Sequence, residues 1–202
     1  TLLYTDKNGS GYYLAPAGGN ALRWTGSIWQ ETQPDGLVLK YQPYNSGDDG
    51  RLENFTNRGN QTWTLTYDGG GALTWINDPF NRRTTFSYDG SGNLESVTDA
   101  SGRQTDFEVD GSGDLVQITT PELCVTSLAY DADHRLIGYV DPAGNRTTYG
   151  YDTIDRVTSI TNPKNEIITY TYVDSETLEV ADAASLVTTV IFDANQYVNA
   201  VV

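Results

Sequence analysis

The chain has 202 residues, and its 12 basic and 27 acidic side chains give a formal net charge of −15. This charge excludes the basic surface on which binding to nucleic acids or anionic membranes depends. The hydrophobic share of 38% is too high for a disordered chain, and 14 Tyr and 20 Gly favour strands joined by tight turns. We therefore predict an all-β protein that binds no nucleic acid and does not insert into a membrane.

The first 44 residues contain no regular repeat. Residues 32–41, and residues 50–57 just beyond this stretch, look like half-repeats of the pattern that dominates the rest of the chain. We therefore predict that residues 1–44 form lead-in β strands and half-repeats, and that residues 45–202 form a tandem array.

A Tyr-Asp pair, or a variant of it, recurs at intervals of 21 residues. The first residues of these pairs are Tyr67, Tyr88, Val109, Tyr130, Tyr151 and Tyr172, and Phe192 follows one residue early. Aromatic residues and threonines alternate before each pair, and this period of two is typical of a strand with one buried side. Clusters of Asp, Asn, Gly and Pro follow, which are the residues that form turns. The pattern weakens at Val109, at residues 120–123 and between Tyr172 and Phe192.

The repeat predicts tandem β-hairpins that form a curved or spiralling open sheet, which would be part of a β-shell. Equivalent side chains of neighbouring hairpins lie side by side in such a sheet. We expect nine aromatic residues to form a structural ladder that holds the stack together: Tyr67, Phe86, Tyr88, Phe107, Tyr130, Tyr149, Tyr151, Tyr170 and Tyr172. The chain ends within a unit, so we expect the array to continue in a larger protein or in a neighbouring copy.

Two segments resemble a known family. Residues 88–99 read Tyr-Asp-x-x-Gly-Asn-Leu-x-x-Val-Thr-Asp, and residues 141–152 read Asp-Pro-x-Gly-Asn-x-Thr-x-Tyr-x-Tyr-Asp. They resemble the YD repeat of the Rhs superfamily, which includes bacterial Rhs and wall-associated polymorphic toxins, the shell proteins of insecticidal toxin complexes, and teneurins. The resemblance covers about residues 45–202.

The resemblance implies a non-enzymatic structural segment. Family members wind the array into a hollow shell that encloses a toxin, or into an extended extracellular structure. The implied partners are the rest of a larger parent chain or copies of this chain, with an enclosed toxin as cargo. The implied location is secreted or on the cell surface, with a bacterial source.

The tryptophans leave an alternative open. All four lie in the first part of the chain: Trp24, Trp29, Trp63 and Trp75. Their rings could stack on sugars, which would make the chain a carbohydrate-binding or adhesive module built on the same repeat. Because Trp63 shares a face with Leu65 and Tyr67, the rings could equally serve packing alone.

Few residues of the sequence are candidates for a catalytic or metal-binding role. The single histidine, His134, is interpreted as a polar turn residue in the position that Asn93 fills in another repeat. The single cysteine, Cys124, is interpreted as a core residue or an inert thiol, since no basic neighbour in sequence would activate it. The acidic turns, such as that at Asp89, lack the ligand spacing of a calcium loop. We expect no catalytic residue, no cofactor and no metal site.

Overall fold

The computed structural model describes residues 6–7, 12–14, 19–43, 50–195 and 197–202, and every regular element in these ranges is a strand. The chain divides into two compact units, Thr1–Gln104 and Thr105–Val202. The described strands of the first unit are β1 (Asp6–Lys7), β2 (Tyr12–Leu14), β3 (Ala21–Trp24), β4 (Trp29–Thr32), β5 (Val38–Tyr41), β6 (Leu52–Thr56), β7 (Thr62–Tyr67), β8 (Leu73–Asn77), β9 (Arg83–Tyr88) and β10 (Leu94–Thr98). Those of the second unit, the first of which begins at the boundary, are β11 (Gln104–Val109), β12 (Leu115–Thr119), β13 (Val125–Tyr130), β14 (Leu136–Val140), β15 (Arg146–Tyr151), β16 (Val157–Thr161), β17 (Ile167–Tyr172), β18 (Thr177–Ala181), β19 (Val187–Phe192) and β20 (Val198–Val201).

Within each unit, every strand pairs antiparallel with the next strand along the chain. This holds from β1 to β10 in the first unit. It holds equally from β11 to β20 in the second. The predicted all-β class and its tandem hairpins are therefore confirmed.

Most hairpins that follow a Tyr position contain a β-bulge. Tyr151 pairs with Val157 and Gly150 pairs with Ser159, so that Thr158 is an extra residue on β16. The same shift of register occurs in the pairs β5–β6, β7–β8, β9–β10, β11–β12, β13–β14 and β19–β20. A bulge bends the strand and increases its twist locally, so most repeats carry a bend at the same place.

The pair β17–β18 has no bulge, and this explains the irregular period near the end of the chain. Tyr172 pairs with Leu178 and Thr171 with Glu179, with no residue left over. Strand β18 therefore needs one residue fewer before its turn. The interval from Tyr172 to Phe192 is 20 residues instead of 21 for this reason.

The contrast between the two faces that the sequence predicts varies from strand to strand: in β17, Tyr170 and Tyr172 are half-buried while Thr169 and Thr171 are exposed. In β15, Thr148 and Gly150 on one face are half-buried, as are Tyr149 and Tyr151 on the other. None of the described side chains is fully buried. The reason is that each strand contacts only the strands before and after it among the described elements, so neighbouring side chains cover each other laterally without a second layer.

The predicted boundary at residue 44 falls in a segment outside the described residues, which leave out 44–49. The strands before and after this segment pair with each other: Tyr41 pairs with Leu52 and Lys40 with Asn54, with the same bulge as in the later hairpins. Repeat-like pairing is thus present in the half-repeats at 32–41 and 50–57. The remaining lead-in residues are described only in part.

Candidate functional site

The turns of the repeat are built on one aspartate side chain each. Asp141 accepts hydrogen bonds at Oδ1 from the backbone N–H groups of Ala143 at 2.9 Å and Asn145 at 2.8 Å. Its Oδ2 accepts a third from the side-chain amide of Asn145 at 2.8 Å. The pKa of Asp141 is lowered from its ordinary value because the side chain and then the backbone of Asn145 donate to the carboxylate. The aspartate thus closes its own turn.

This arrangement recurs at both ends of the hairpins. In each case the side-chain oxygen of the first turn residue accepts from the N–H groups two and four residues later. The residues that do so are Asp68, Asp78, Asp89, Asp99, Asp110, Asp131, Asp141, Asp152, Asn162, Asp182 and Asp193. The aspartate of the Tyr-Asp pair is therefore a turn-forming residue. The described residues contain no group of three or more His, Cys, Asp or Glu side chains that could hold a metal ion.

The tyrosine of the pair connects neighbouring repeats. The hydroxyl of Tyr151 donates to the backbone carbonyl of Leu136 at 2.8 Å. Leu136 lies at the start of the preceding bulged strand, where it pairs with Tyr130. The same bond, always to the carbonyl 15 residues earlier, is made by Tyr67, Tyr88 and Tyr172. Each of these hydroxyls satisfies a carbonyl of the preceding hairpin, in a position where the bulge interrupts the regular ladder.

The structure places the nine aromatic residues expected to form the ladder at equivalent positions of β7, β9, β11, β13, β15 and β17. All nine are half-buried. Each unit brings rings against aliphatic side chains of the next strand, since Phe86 pairs with Val97 in the first unit and Tyr170 with Val180 in the second. Such cross-strand pairs are the usual stabilising contacts of a sheet.

Arginine side chains add a connection that the sequence analysis missed. Arg135 bonds to Asp131 of its own turn and to Asp155 of the next equivalent turn, the latter at 3.0 Å. Its guanidinium carbon lies 5.2 Å from the ring centre of Tyr151. Arg156 stands over Tyr172 in the same way, at 4.1 Å. The signal was present in the sequence as an arginine 16 residues before a repeat tyrosine.

The interpretation of His134 as the counterpart of Asn93 is wrong by one residue. His134 has a positive φ of 61°, as Gly92 does with 87°, so these two are equivalent. The turn needs a left-handed residue at its fourth position, and Arg135 takes the place of Asn93. His134 Nδ1 lies 2.9 Å from a carboxylate oxygen of Asp114, and this bond raises its pKa.

Cys124 is exposed, so its interpretation as a core residue is wrong, while its inertness as a thiol is untested. It occupies the fifth position of the turn that begins at Thr120. The same turn begins with Thr120 where most others have aspartate.

The tryptophans are not gathered into one platform. Trp24 and Trp29 contact each other with ring centres 5.3 Å apart, and Trp63 stacks on Phe55 at 5.0 Å. Trp75 lies on the face opposite Trp63, because it pairs with Thr66 in the neighbouring strand. The rings thus contact their own neighbours within the sheet, and Trp75 additionally lies under an arginine.

Residues 28–195 match the family model of the Teneurin YD-shell. The chain belongs to this family of YD-repeat proteins, which confirms the resemblance found in the motifs at residues 88–99 and 141–152. No curated protein matches the sequence significantly. No helix in the described ranges has the length and apolar character needed to cross a bilayer.

Solved structures share the fold. The chain is similar to the crystal structure of TcdB2-TccC3-TEV, with 15% identity and a TM-score of 0.57 over 90% of this chain and 12% of that one. It is also similar to a structure of the Photorhabdus luminescens Tc holotoxin pore that carries a TccC3 mutation, with 14% identity and a TM-score of 0.57 over 95% of this chain and 14% of that one. The chain thus spans only a small part of either relative.

Proposed function

We propose that this chain is a non-enzymatic structural segment that forms part of the wall of an encapsulating shell or an extended surface assembly. The observation that carries the proposal is membership of the YD-shell family over residues 28–195. Its small share of two Tc toxin chains supports a role as one portion of a larger wall.

The geometry of the repeat suits this role. The turn aspartates bind within their own loops, and tyrosine hydroxyls satisfy carbonyls of the preceding hairpins. A sheet built this way is stabilised strand by strand and needs no second layer, so it can be extended by adding hairpins. The half-buried aromatic rings leave apolar surface on a sheet face, which a further part of the assembly or an enclosed polypeptide would cover.

The partners that fit are the rest of a larger parent chain, copies of this chain, or an enclosed toxin, and the location that fits is secreted or on the cell surface. No specific observation favours carbohydrate binding, because the tryptophan rings are divided between separate neighbours and between opposite faces. We therefore put forward no second function.

The proposal is tested by isolating the protein from its source with an antibody raised against residues 130–172. Sedimentation and electron microscopy of the isolated particle, with peptide mapping, report whether this region is part of a hollow particle. The expected result is a hollow particle in which these residues are protected from protease. A chain of this length that sediments as a monomer, with both sheet faces accessible, would contradict the proposal.

A further inference from the structure

One turn of the second unit lacks the side-chain hydrogen bonds that stabilise most of its counterparts. The turn from Thr120 to Cys124 joins β12 to β13, and its backbone bonds are ordinary: Thr120 N donates to Cys124 O at 3.0 Å, and Leu123 N to Thr120 O at 2.9 Å. The Thr120 hydroxyl, however, is a buried atom without a hydrogen-bond partner. It does not accept from the N–H groups that an aspartate would bind, and its own burial is uncompensated.

The fourth position of the same turn carries a second departure. Leu123 has a φ of 61°, in the left-handed region where a side chain is disfavoured. Its side chain is 81% exposed, so no packing contact compensates for that conformation. In the turn from Asp141 to Asn145, Gly144 holds this position with a φ of 82°.

The two turns form a natural comparison. Both have proline at the second position, Pro121 in one and Pro142 in the other, and both join a short strand to a long one of the same unit. They differ at the first and fourth positions, where the control turn has Asp141 and Gly144, and also at the third and fifth, where it has Ala143 and Asn145 in place of Glu122 and Cys124. Because Asp141 accepts three hydrogen bonds within its own turn, we expect the control turn to be the more stable of the two.

We propose that the turn 120–124 is the point at which the second unit opens first, so that the β12–β13 hairpin is the preferred site of proteolytic entry into that unit. Each described strand contacts only its sequence neighbours, so opening one hairpin breaks contacts with few others. Opening of this kind exposes the backbone of residues 120–124 while the remaining hairpins stay paired.

Limited proteolysis of the full chain under native conditions tests this proposal. With a protease of broad specificity at low concentration, mass spectrometry identifies the first cut. Within the second unit, we expect the first cut in residues 120–125, at least about tenfold faster than any cut within residues 141–146, because the rate follows the population of the open form. Equal rates at the two turns, or a first cut at 141–146, would overturn the proposal.

A repaired variant tests the two side chains directly. Thr120→Asp combined with Leu123→Gly gives this turn the aspartate and the glycine of the control turn, and we expect it to slow cutting at 120–125 about tenfold without changing the rest of the map. The converse pair, Asp141→Thr with Gly144→Leu, should open the control turn. Amide hydrogen exchange gives an independent readout: β12 and β13 should exchange faster than β14 and β15 in the wild type, and equal protection of the four strands would overturn the proposal.

Discussion

Removing one hydroxyl group should measure what the tyrosine bonds contribute to the array. In Tyr151→Phe the ring stays beside Arg135, and only the 2.8 Å bond to the Leu136 carbonyl is lost. A hydrogen bond of this kind contributes about 0.5–1.5 kcal/mol, so we expect the free energy of unfolding to fall by about 1 kcal/mol.

Tyr151→Ala removes the ring as well. Truncating a buried aromatic residue costs about 3–5 kcal/mol. Tyr151 is only half-buried, so roughly half of that cost applies, about 2 kcal/mol. Together with the lost hydrogen bond, the expected loss is about 3 kcal/mol.

Urea denaturation followed by circular dichroism measures both changes as shifts of the midpoint at an unchanged m-value. The matched control is Tyr149→Phe, two residues earlier on the same face of β15, since the Tyr149 hydroxyl makes no hydrogen bond to a described residue. We expect this control to unfold as the wild type does. An unchanged midpoint in Tyr151→Phe, or an equal fall in Tyr149→Phe, would refute a stabilising role for the Tyr151 hydroxyl.

Three further predictions concern the turns and the close approach of strands. Asp141→Ala should lower the urea midpoint because it removes three hydrogen bonds. Because the pKa of Asp141 is lowered in the folded state, the difference in midpoint from wild type should shrink as the pH falls below about 4. A difference that does not change with pH would contradict this. The raised pKa of His134 means that its bond to Asp114 stabilises the fold fully below about pH 6.5 and less as the pH rises through the folded-state pKa. The midpoints of wild type and His134→Gln should therefore converge as the pH rises above about 6.5, and a difference that does not change with pH would contradict the bond. Gly150→Ala places a Cβ 2.5 Å from the Ser159 hydroxyl oxygen, so it should lower the melting temperature and Ser159→Ala should partly restore it, whereas additive losses in the double variant would argue against the clash.

The order of the hairpins could be predicted from the sequence because the same pattern of strand and turn residues recurs every 21 residues. The alternation of side chains and the spacing of the Tyr-Asp pairs can be seen directly in the sequence, and β15 and β17 lie where these two patterns predict strands. The bulges could not be predicted in the same way. Thr158 and its counterparts differ in residue type from repeat to repeat, because the position needs only an extra backbone residue.

The half-burial of both strand faces in β15 could not be predicted from the sequence pattern either. Alternation shows which side chains share a face, as it does for Tyr149 and Tyr151, but it does not show whether a second layer covers that face. The position of His134 was misjudged because Gly92 and Asn93 are adjacent, and only the sign of φ distinguishes the two turn positions. The stacking of Arg135 on Tyr151 joins residues 16 apart, which local patterns do not connect.

The central claim, that this sheet is a portion of a shell wall, is tested most directly by electron cryo-microscopy of the native particle that contains it. We expect β12 to β19 to occur as consecutive strands of a continuous β wall around an enclosed space, with paired strands on both sides. Density in which these strands form a separate globular body, with no wall on either side, would contradict it.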